Sequence, residues 1–369
     1  MLKILHVINT LAPAGAETLL MNFAANFKDP DYQIYIAYIY GQGELLKEYQ
    51  LDKNMKVFNL TRNGKFDYFS LFKLIAIIKT RKIDIVHTHL LHAGILGKIA
   101  AKICGVRHIV TTRHYGFDPK EKKLLHQIEN FLTRSSSVVI AISNAVRKYL
   151  ISQNIIADEK IVVIPNGIDL KKIALKKNGL INRKINSNRI IGSVGRLVPQ
   201  KDFVTLLDCL QLVAKEFPNI KLEIIGDGVL RSELEYYAAR LNIKKNLEFT
   251  GVLPHYEVLN RMNEWDLFIL SSAWEGFGIA LIEAMALEKA VVATRVEGIT
   301  EVVDDGITGY LVPAKSPGVL AERVIELSRN EGKRIFMGKK GREKVINKFS
   351  IEKFNERTKK VYESLIHVV

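Results

Sequence analysis

The sequence predicts an α/β protein built from two doubly wound parallel sheets, one in each of two domains. Short β-branched runs alternate with helix-like stretches over most of the chain, and the alternation lapses once near the middle before restarting. The residues suited to holding a ligand fall just after the strand-like runs. The 369 residues are 48% hydrophobic and 25% charged, the balance of a globular protein large enough for about two domains, which excludes disordered and fibrous classes. No apolar run reaches the ~18 to 20 residues that span a bilayer, so any membrane contact is expected to be peripheral.

The first series runs LKILHVI, a helical stretch over 16–27, YQIYIAYIY, KVFNL, a helical stretch over 66–80, IDIVHTH, another over 92–104, and HIVTTRH. It continues through SVVIAIS and a helix capped by Ser143 to KIVVIPNG. The opening MLKILHVINTLAPAGA imitates a secretory leader, but its apolar core is short and carries His6 and Asn9, so a buried first strand is the expectation. After Asp169 the pattern lapses into LKKIALKKNGLINRKINSN, polar and basic, which reads as a connection.

The second series comprises IIGSVGR, a helix from about Asp202, KLEIIGDG, a helix from about Val229, LEFTG, a short helix, LFILSS, a helix from about Gly278, and AVVAT. The expected division is a first domain over 1–170, a linker over 171–188, a second domain over 189–349 and a closing helix over 350–369 capped by Ser350. Cys104 and Cys209 lie in helix-like stretches far apart, which suits reduced thiols in a cytoplasmic protein.

Net charge is +15, and all of it sits in the first half: residues 1–189 hold 29 Lys and Arg against 14 Asp and Glu, whereas 190–369 hold 25 of each. That asymmetry favours an anionic partner for the first domain, and a solubilising surface is the plainer alternative. The stretch GKFDYFSLFKLIAIIKTRK at 64–82 adds apolar helical character with Lys73, Lys79, Arg81 and Lys82, candidates for contact with an anionic membrane surface.

In the second series, IIGSVGR leads into GRLVPQKDF, so Arg196 and Lys201 flank a turn before a helix. Two cations beside backbone N–H groups at a helix N-terminus suit a diphosphate, whereas either alone reads as a surface charge. After LFILSS, Glu275 lies in the loop and Glu283 inside the helix opened by Gly278. Gly276 and Gly278 let backbone amides approach a ligand, and a carboxylate there accepts hydroxyl groups from a ribose or sugar. A plainer role, complementing the helix dipole, suits Glu275 better than Glu283.

Eight segments in order carry a resemblance: PAGAE at 13–17, DIVHTH at 84–89, TTRH at 111–114, IPNGID at 164–169, GRLVPQKDF at 195–203, IGDG at 225–228, EGFGIALIE at 275–283 and DDGITGYLV at 304–312. On these the chain resembles, over essentially its full length, the retaining GT-B glycosyltransferases of the large family four. That family includes bacterial polysaccharide, lipopolysaccharide and glycolipid sugar transferases of the cell envelope.

The resemblance implies two Rossmann-like domains facing a central cleft, with the donor on the second, the acceptor on the first, and the C-terminal helix crossing back to the first. It implies that Arg196 and Lys201 hold the donor diphosphate, that Glu283 bonds the nucleotide ribose and that Glu275 lies beside the transferred sugar. The amides of Phe277 and Gly278 are implied near the sugar hydroxyls and phosphate, and Gly226 of IGDG is counted with the donor residues. Gly15 matches a glycine-rich contact that closes over the donor, although the usual glycine pair is here Ala14–Gly15. His114 matches a cleft histidine that orients sugar or acceptor; without the resemblance a lone strand-end histidine reads as structural.

His87 and His89 form an HxH at a strand end with His92 close by, which raises a metal site; no carboxylate cluster completes a shell, so lining on the acceptor side is expected instead. Asn166 of IPNGID is a further cleft candidate. Asp29-Pro30-Asp31 has the form of a metal-binding DxD, but it precedes its strand and reads as a turn at the opposite edge. No metal or other cofactor is expected, since the Arg/Lys pair and a helix N-terminus neutralise a leaving diphosphate.

The function expected is retaining transfer of a hexose or N-acetylhexosamine from a nucleotide sugar, UDP first and GDP second, to a glycan or lipid-linked acceptor. The enzyme is placed in the cytoplasm or on the inner face of the cytoplasmic membrane. A sugar-nucleotide epimerase would use the same diphosphate site without an acceptor. A dinucleotide oxidoreductase is weaker, because Arg231 occupies the third glycine position after Gly226 and Gly228. A nucleic-acid-binding protein is the non-enzyme alternative, but no recognisable motif accompanies the charge, and no nucleic-acid partner is expected.

Overall fold

The computed structural model describes residues 1–49, 55–61, 69–114, 123–177 and 189–366. It divides into two units, Met1–Gly167 with Ile351–Val369, and Ile168–Ser350. In the first, seven strands form a parallel sheet in the order β3-β2-β1-β4-β5-β6-β7. They are β1 (Leu2–Ile8), β2 (Tyr32–Tyr38), β3 (Lys56–Asn59), β4 (Ile85–His89), β5 (His108–Arg113), β6 (Val138–Ala141) and β7 (Ile161–Val163). The crossovers are α1 (Gly15–Asn26), α2 (Phe69–Arg81), α3 (Leu91–Ile103), α4 (Lys123–Thr133) and α5 (Asn144–Ser152), the last capped by Ser143, whose hydroxyl accepts from Val146 N–H at 3.2 Å.

A strand covered on both faces reads as a nearly continuous apolar run, and LKILHVI is one: Ile4, Leu5, Val7 and Ile8 are all buried. Alternation sends Ile4, His6 and Ile8 to one face and Leu5 and Val7 to the other. Leu5 and Val7 join Leu74, Val86 and Ala100 in the core under α2 and α3. LKILHVI is therefore a core strand of the first sheet, paired with β2 on one side and β4 on the other.

The second unit repeats the plan with β8 (Ile190–Val194), β9 (Lys221–Ile225), β10 (Leu247–Gly251), β11 (Leu267–Leu270), β12 (Ala290–Thr294) and β13 (Gly309–Val312), in the order β10-β9-β8-β11-β12-β13. This is the doubly wound order, with its reversal between β8 and β11. Its helices are α6 (Leu170–Lys177), α7 (Phe203–Glu216), α8 (Arg231–Arg240), α9 (His255–Glu264), α10 (Ile279–Ala286), α11 (Ile299–Val302), α12 (Pro317–Arg329) and α13 (Glu331–Lys348). The stretch after Asp169, read from sequence as a connection, begins with α6. Asp169 accepts from Lys171 N–H at 3.0 Å, Ile173 is buried, and the helix packs on α9 and α10. Residues 178–188 of that expected linker lie outside the described residues.

The chain then returns to the first unit with α14 (Ile351–Ile366). Ile351, Phe354, Val361 and Tyr362 join Ile4, Ile8, Leu20 and Phe23 in the core on the α1 face of the first sheet. Lys359 also pairs with Asp29 at 2.6 Å, and Asp29 accepts from Asp31 N–H at 3.0 Å, so the DxD-like triplet is a turn at the amino edge of β2.

Gly192 in β8 marks the tightest packing in the second unit. A Cβ there would lie 2.0 Å from the ring of Trp265, which is buried and donates Nε1–H to Glu223 at 2.7 Å. Gly192→Ala should therefore displace the indole and destabilise this unit by about 1–3 kcal/mol or more. Both tryptophans, Trp265 and Trp274, belong to the second unit. A fall in the fluorescence-detected urea midpoint checks the prediction, and an unchanged midpoint refutes it.

Candidate functional site

The turns after β8 and β9 pack back to back, because Gly226 sits at φ +137° and a Cβ on it would lie 2.1 Å from the carbonyl oxygen of Gly195. Only glycine meets both demands. This contact fixes the turn that carries Arg196, which is exposed, and Lys201. Asp202 follows in the left-handed region and caps α7 by accepting from Thr205 N–H at 3.4 Å. Lys201 reaches Glu275, its Nζ 2.5 Å from the carboxylate, and Ser272 donates to the same oxygen at 3.2 Å.

Glu275 is held from below by an aromatic anchor and from one side by a glycine. Phe277 is buried edge-on against Phe349 at 5.4 Å between ring centres. Gly298, at φ +83°, brings the next loop so near that a Cβ would lie 2.5 Å from the Glu275 carbonyl oxygen. Gly278, at φ +89°, is the N-cap of α10 and lies three residues after Glu275. Glu283 on α10 is buried to 6% exposure and pairs with His255 Nε2 at 2.7 Å. Of the predicted donor residues, the structure brings Lys201 and Glu275 into contact at the carboxyl ends of β8 and β11, with Arg196 on the same turn as Lys201; Glu283 lies inside α10 and Gly15 belongs to the first unit. His255, the first residue of α9, was missed: it lies four residues after β10 in a stretch that no recognised segment covers, and its pairing with Glu283 spans 28 residues.

In the first unit the strand register assembles a polar patch on the α1 face. His6 is paired with His87 across β1 and β4, and His89 with Thr112 across β4 and β5. Parallel partners share a face, so His6, His87, His89 and Thr112 all point the same way. His114, half-buried just beyond β5, has Nε2 3.4 Å from His89 Nδ1. Leu90, at φ +63°, turns the chain sharply from His89 into α3.

This corrects the reading of His87 as acceptor lining. Its ring is buried, with Nδ1 2.6 Å from the Tyr362 hydroxyl and Nε2 2.7 Å from the Thr112 hydroxyl, so it lies behind the surface. His89 is also buried, between His6 and His114. Asn166 is 2% exposed and its side-chain carbonyl has no hydrogen-bond partner among the described residues. Gly15 is the exposed first residue of α1, after an extended Ala14.

One group of side chains has the ligand types of a metal site, His6, His87 and His89, with donor atoms within 4.8 Å of one another. Sequence spacing had offered His92 as the third. The rings lie at interplanar angles of 16° to 36°. Both His87 nitrogens are engaged by hydroxyl groups, and His6 Nδ1 meets His89 Nε2 at 3.0 Å, so the donor atoms are already taken up by one another and by Tyr362 and Thr112. The donor set fits a hydrogen-bonded stack better than a chelate.

Beside His114, α4 is amphipathic in the inverse sense. Its buried positions carry His126, Glu129 and Thr133, and its exposed ones carry Leu124, Ile128 and Phe131. The inward face is polar because Glu129 takes a bond from buried Lys98 at 2.9 Å, pairs with Arg113 and accepts from Thr133 at 3.1 Å. Of the four cations assigned to a membrane surface, Lys73 is half-buried and donates to the Leu60 carbonyl at 2.6 Å, which removes it from the set. Lys79 and Lys82 are exposed; Arg81 lies 6.0 Å over the Phe58 ring. Lys65 lies outside the described residues.

Burial holds the stacked histidines neutral: it pushes His6 down to about 3 and His114 to about 4, and holds His87 and His89 well below the ordinary range. Each folded-state value lies below the unfolded ~6.5, so between these limits the unfolded chain binds more protons. Stability is then full above about pH 6.5 and falls as pH drops, by about 1.4 kcal/mol per pH unit for each histidine still neutral. Far-UV circular dichroism should show the first unit melting progressively ahead of the tryptophan signal between about pH 6.5 and 5. Coincident, pH-independent transitions would refute it.

Two family models match the chain: Glycosyltransferase Family 4 over residues 13–172 and Glycosyl transferases group 1 over residues 180–344. Over 355 residues, 91% of each chain, it is 30% identical to the Escherichia coli UDP-Gal:alpha-D-GlcNAc-diphosphoundecaprenol alpha-1,3-galactosyltransferase. It is 29% identical to the Staphylococcus aureus capsular polysaccharide biosynthesis glycosyltransferase CapM, over 81% of this chain and 82% of that one. The solved structure of Anabaena HepE in complex with UDP and glucose shares the fold, with a TM-score of 0.84 at 23% identity over 99% of this chain and 100% of that one. With both halves matched and a relative of this identity aligned along nearly its whole length, the chain belongs to the family 4 glycosyltransferases, on two Rossmann-like domains of the GT-B type.

Proposed function

We propose that this glycosyltransferase moves a hexose or N-acetylhexosamine from a UDP-sugar, with GDP as the second candidate, to a lipid-linked or glycan acceptor, with retention and without a metal. The observation that carries the reading is the Lys201–Glu275 pair beside Arg196 and the N-terminus of α10. In this reading Arg196, Lys201 and the amides of Phe277 and Gly278 hold the diphosphate, Glu283 takes the ribose hydroxyls, and Glu275 takes the transferred sugar. His114 orients the sugar or acceptor. The leaving phosphate accepts the proton of the attacking hydroxyl on the same face of the sugar, which yields retention. Support for the substrates comes from the E. coli relative, whose name gives a UDP-galactose donor and a diphosphoundecaprenol-linked acceptor, and from HepE, solved with UDP and glucose.

A lipid-linked acceptor calls for a docking surface. The apolar stripe Leu124, Ile128 and Phe131 on α4 is exposed beside His114, and Phe69 and Phe72 on α2 are exposed as well. With Lys79, Arg81 and Lys82 and the excess of positive charge in the first half, these residues suit an anionic lipid surface, where each basic residue contributes about 1 kcal/mol.

Arg196→Ala or Lys201→Ala should cost roughly 2 to 4 kcal/mol of transition-state stabilisation while the fold survives. Transfer assayed with a panel of nucleotide sugars checks this, and near-normal rates in both variants would refute the donor site. Activity should persist in EDTA, and proton coupling at the new anomeric centre should show the donor's α configuration; rescue of a dead reaction by Mg²⁺ or Mn²⁺ would contradict the metal-free route. Co-sedimentation should favour anionic over neutral vesicles and weaken in high salt. It should fall both in a variant with Lys79, Arg81 and Lys82 changed to Glu and in one with Leu124, Ile128 and Phe131 changed to Ser. Equal binding to both vesicle types would leave the charge as a solubility feature.

A further inference from the structure

The buried polar groups on the α1 face of the first sheet form one continuous chain of hydrogen bonds that ends at His114. Its links are Thr112 Oγ1 to His87 Nε2 at 2.7 Å, His87 Nδ1 to Tyr362 Oη at 2.6 Å, and Tyr362 Oη to His6 Nε2 at 3.3 Å. His6 Nδ1 then meets His89 Nε2 at 3.0 Å, and His89 Nδ1 meets His114 Nε2 at 3.4 Å. A neutral imidazole has one donor and one acceptor nitrogen, and each hydroxyl has one proton to give. When the buried Tyr362 proton is itself bonded within the chain, the direction of any one link sets the direction of all the others, and the chain has two states.

In one state protons point from Thr112 toward His114: Thr112 donates to His87, His87 to Tyr362, Tyr362 to His6, His6 to His89, and His89 to His114 Nε2. His114 then carries its own proton on Nδ1. In the other state every arrow is reversed, His114 donates from Nε2, and the Thr112 hydroxyl accepts. That second state leaves the Thr112 proton without an acceptor, because the hydroxyl is buried and its one hydrogen-bond partner among the described residues is His87. A buried donor left unpaired costs more than an oxygen lone pair left unfilled. At the other end the first state leaves only the Nδ1–H of His114, a half-buried ring that lines the recesses on either side of it.

Among the described residues, no unpaired charged group beside the chain overrides this preference. The recess over the stacked rings is lined by Leu19, Leu20, Phe23, Phe354 and the Thr358 hydroxyl. On the far side of His114 lie Arg113, His126 and Glu129, and the Glu129 carboxylate is taken by Lys98, Arg113 and Thr133.

We propose that this chain locks His114 in the Nδ1–H form, so that it meets the sugar or acceptor as a neutral hydrogen-bond donor, and that Tyr362 of α14 is the positioning residue that transmits the lock. The proposal rests on the reading of His114 as a group that touches substrate. Tyr362 itself is fully buried and, among the described residues, its hydroxyl bonds to the two histidines alone, so it acts through them.

The test is a long-range ¹H–¹⁵N correlation on the full chain labelled with ¹⁵N-histidine, without substrate, which reads which ring nitrogen carries the proton. A His114→Gln variant identifies the His114 signals. Expected is a His114 proton on Nδ1 in the wild type and a mixture of tautomers in both Tyr362→Phe and Thr112→Val, with the wild-type pattern restored in Thr112→Ser. Turnover should drop roughly tenfold in the first two variants with little change in the donor KM. Thr112→Val, nearly isosteric, keeps the proposal testable should Tyr362→Phe fold poorly. A wild-type proton on His114 Nε2, an unchanged tautomer in both variants, or a stoichiometric bound transition metal on the stack would overturn the proposal. Since the tautomer is read without turnover, failure to transfer from any nucleotide sugar would count against the functional reading alone.

Discussion

Because every strand in both sheets runs the same way, all their carboxyl ends lie along one edge of each sheet. Each strand there must turn into a helix, so that edge collects tight turns, glycines and helix N-termini whose amides lack intrahelical partners. Lys201, Glu275 and Gly278 in one unit and His89, Leu90 and His114 in the other are products of this constraint. The contact between Gly195 and Gly226 shows how strict it is. Two strand ends approach so closely that a single methyl group on Gly226 would overlap a carbonyl oxygen.

The two units use this edge in chemically opposite ways. In the second, cations and carboxylates are left partly open: Arg196 is exposed, and the Lys201 and Glu275 side chains are 16% and 13% exposed. A charged ligand can therefore exchange partners with them at modest desolvation cost. In the first, the histidines are buried and neutral and bond to one another, which makes them poor ligands for a phosphate but a stiff support for the half-buried ring of His114.

The strands were legible because a strand buried on both faces is written in β-branched residues, and LKILHVI was read to the residue. Other elements hid for specific reasons. β13 was quoted only within DDGITGYLV, where four residues cannot declare a strand. α6 rests on a thin apolar stripe among lysines and so resembled a connection. α4 escaped because its periodicity is normal but its orientation is inverted, and sequence alone gives no sign that Glu129 is paired inside while Phe131 faces out. Arg196, Lys201 and Glu275 were readable as ligand candidates since each lies in the connection just after a strand. Histidine 6 was noted only as a polar blemish in a strand, because its partners arrive from β4 and from α14, a separation of up to 356 residues.

That separation has a consequence for synthesis. The core on the α1 face is closed by α14, which follows the whole of the second unit in sequence, so roughly 180 residues must be made between β7 and the helix that covers β1. At about 5 to 20 residues per second this leaves the first sheet half-covered for roughly 10 to 40 seconds on the ribosome. During that interval Ile4, Ile8 and Phe23 lack their cover, and the nascent sheet is a natural client for a chaperone. The second unit, continuous in sequence, can fold while the first is still waiting.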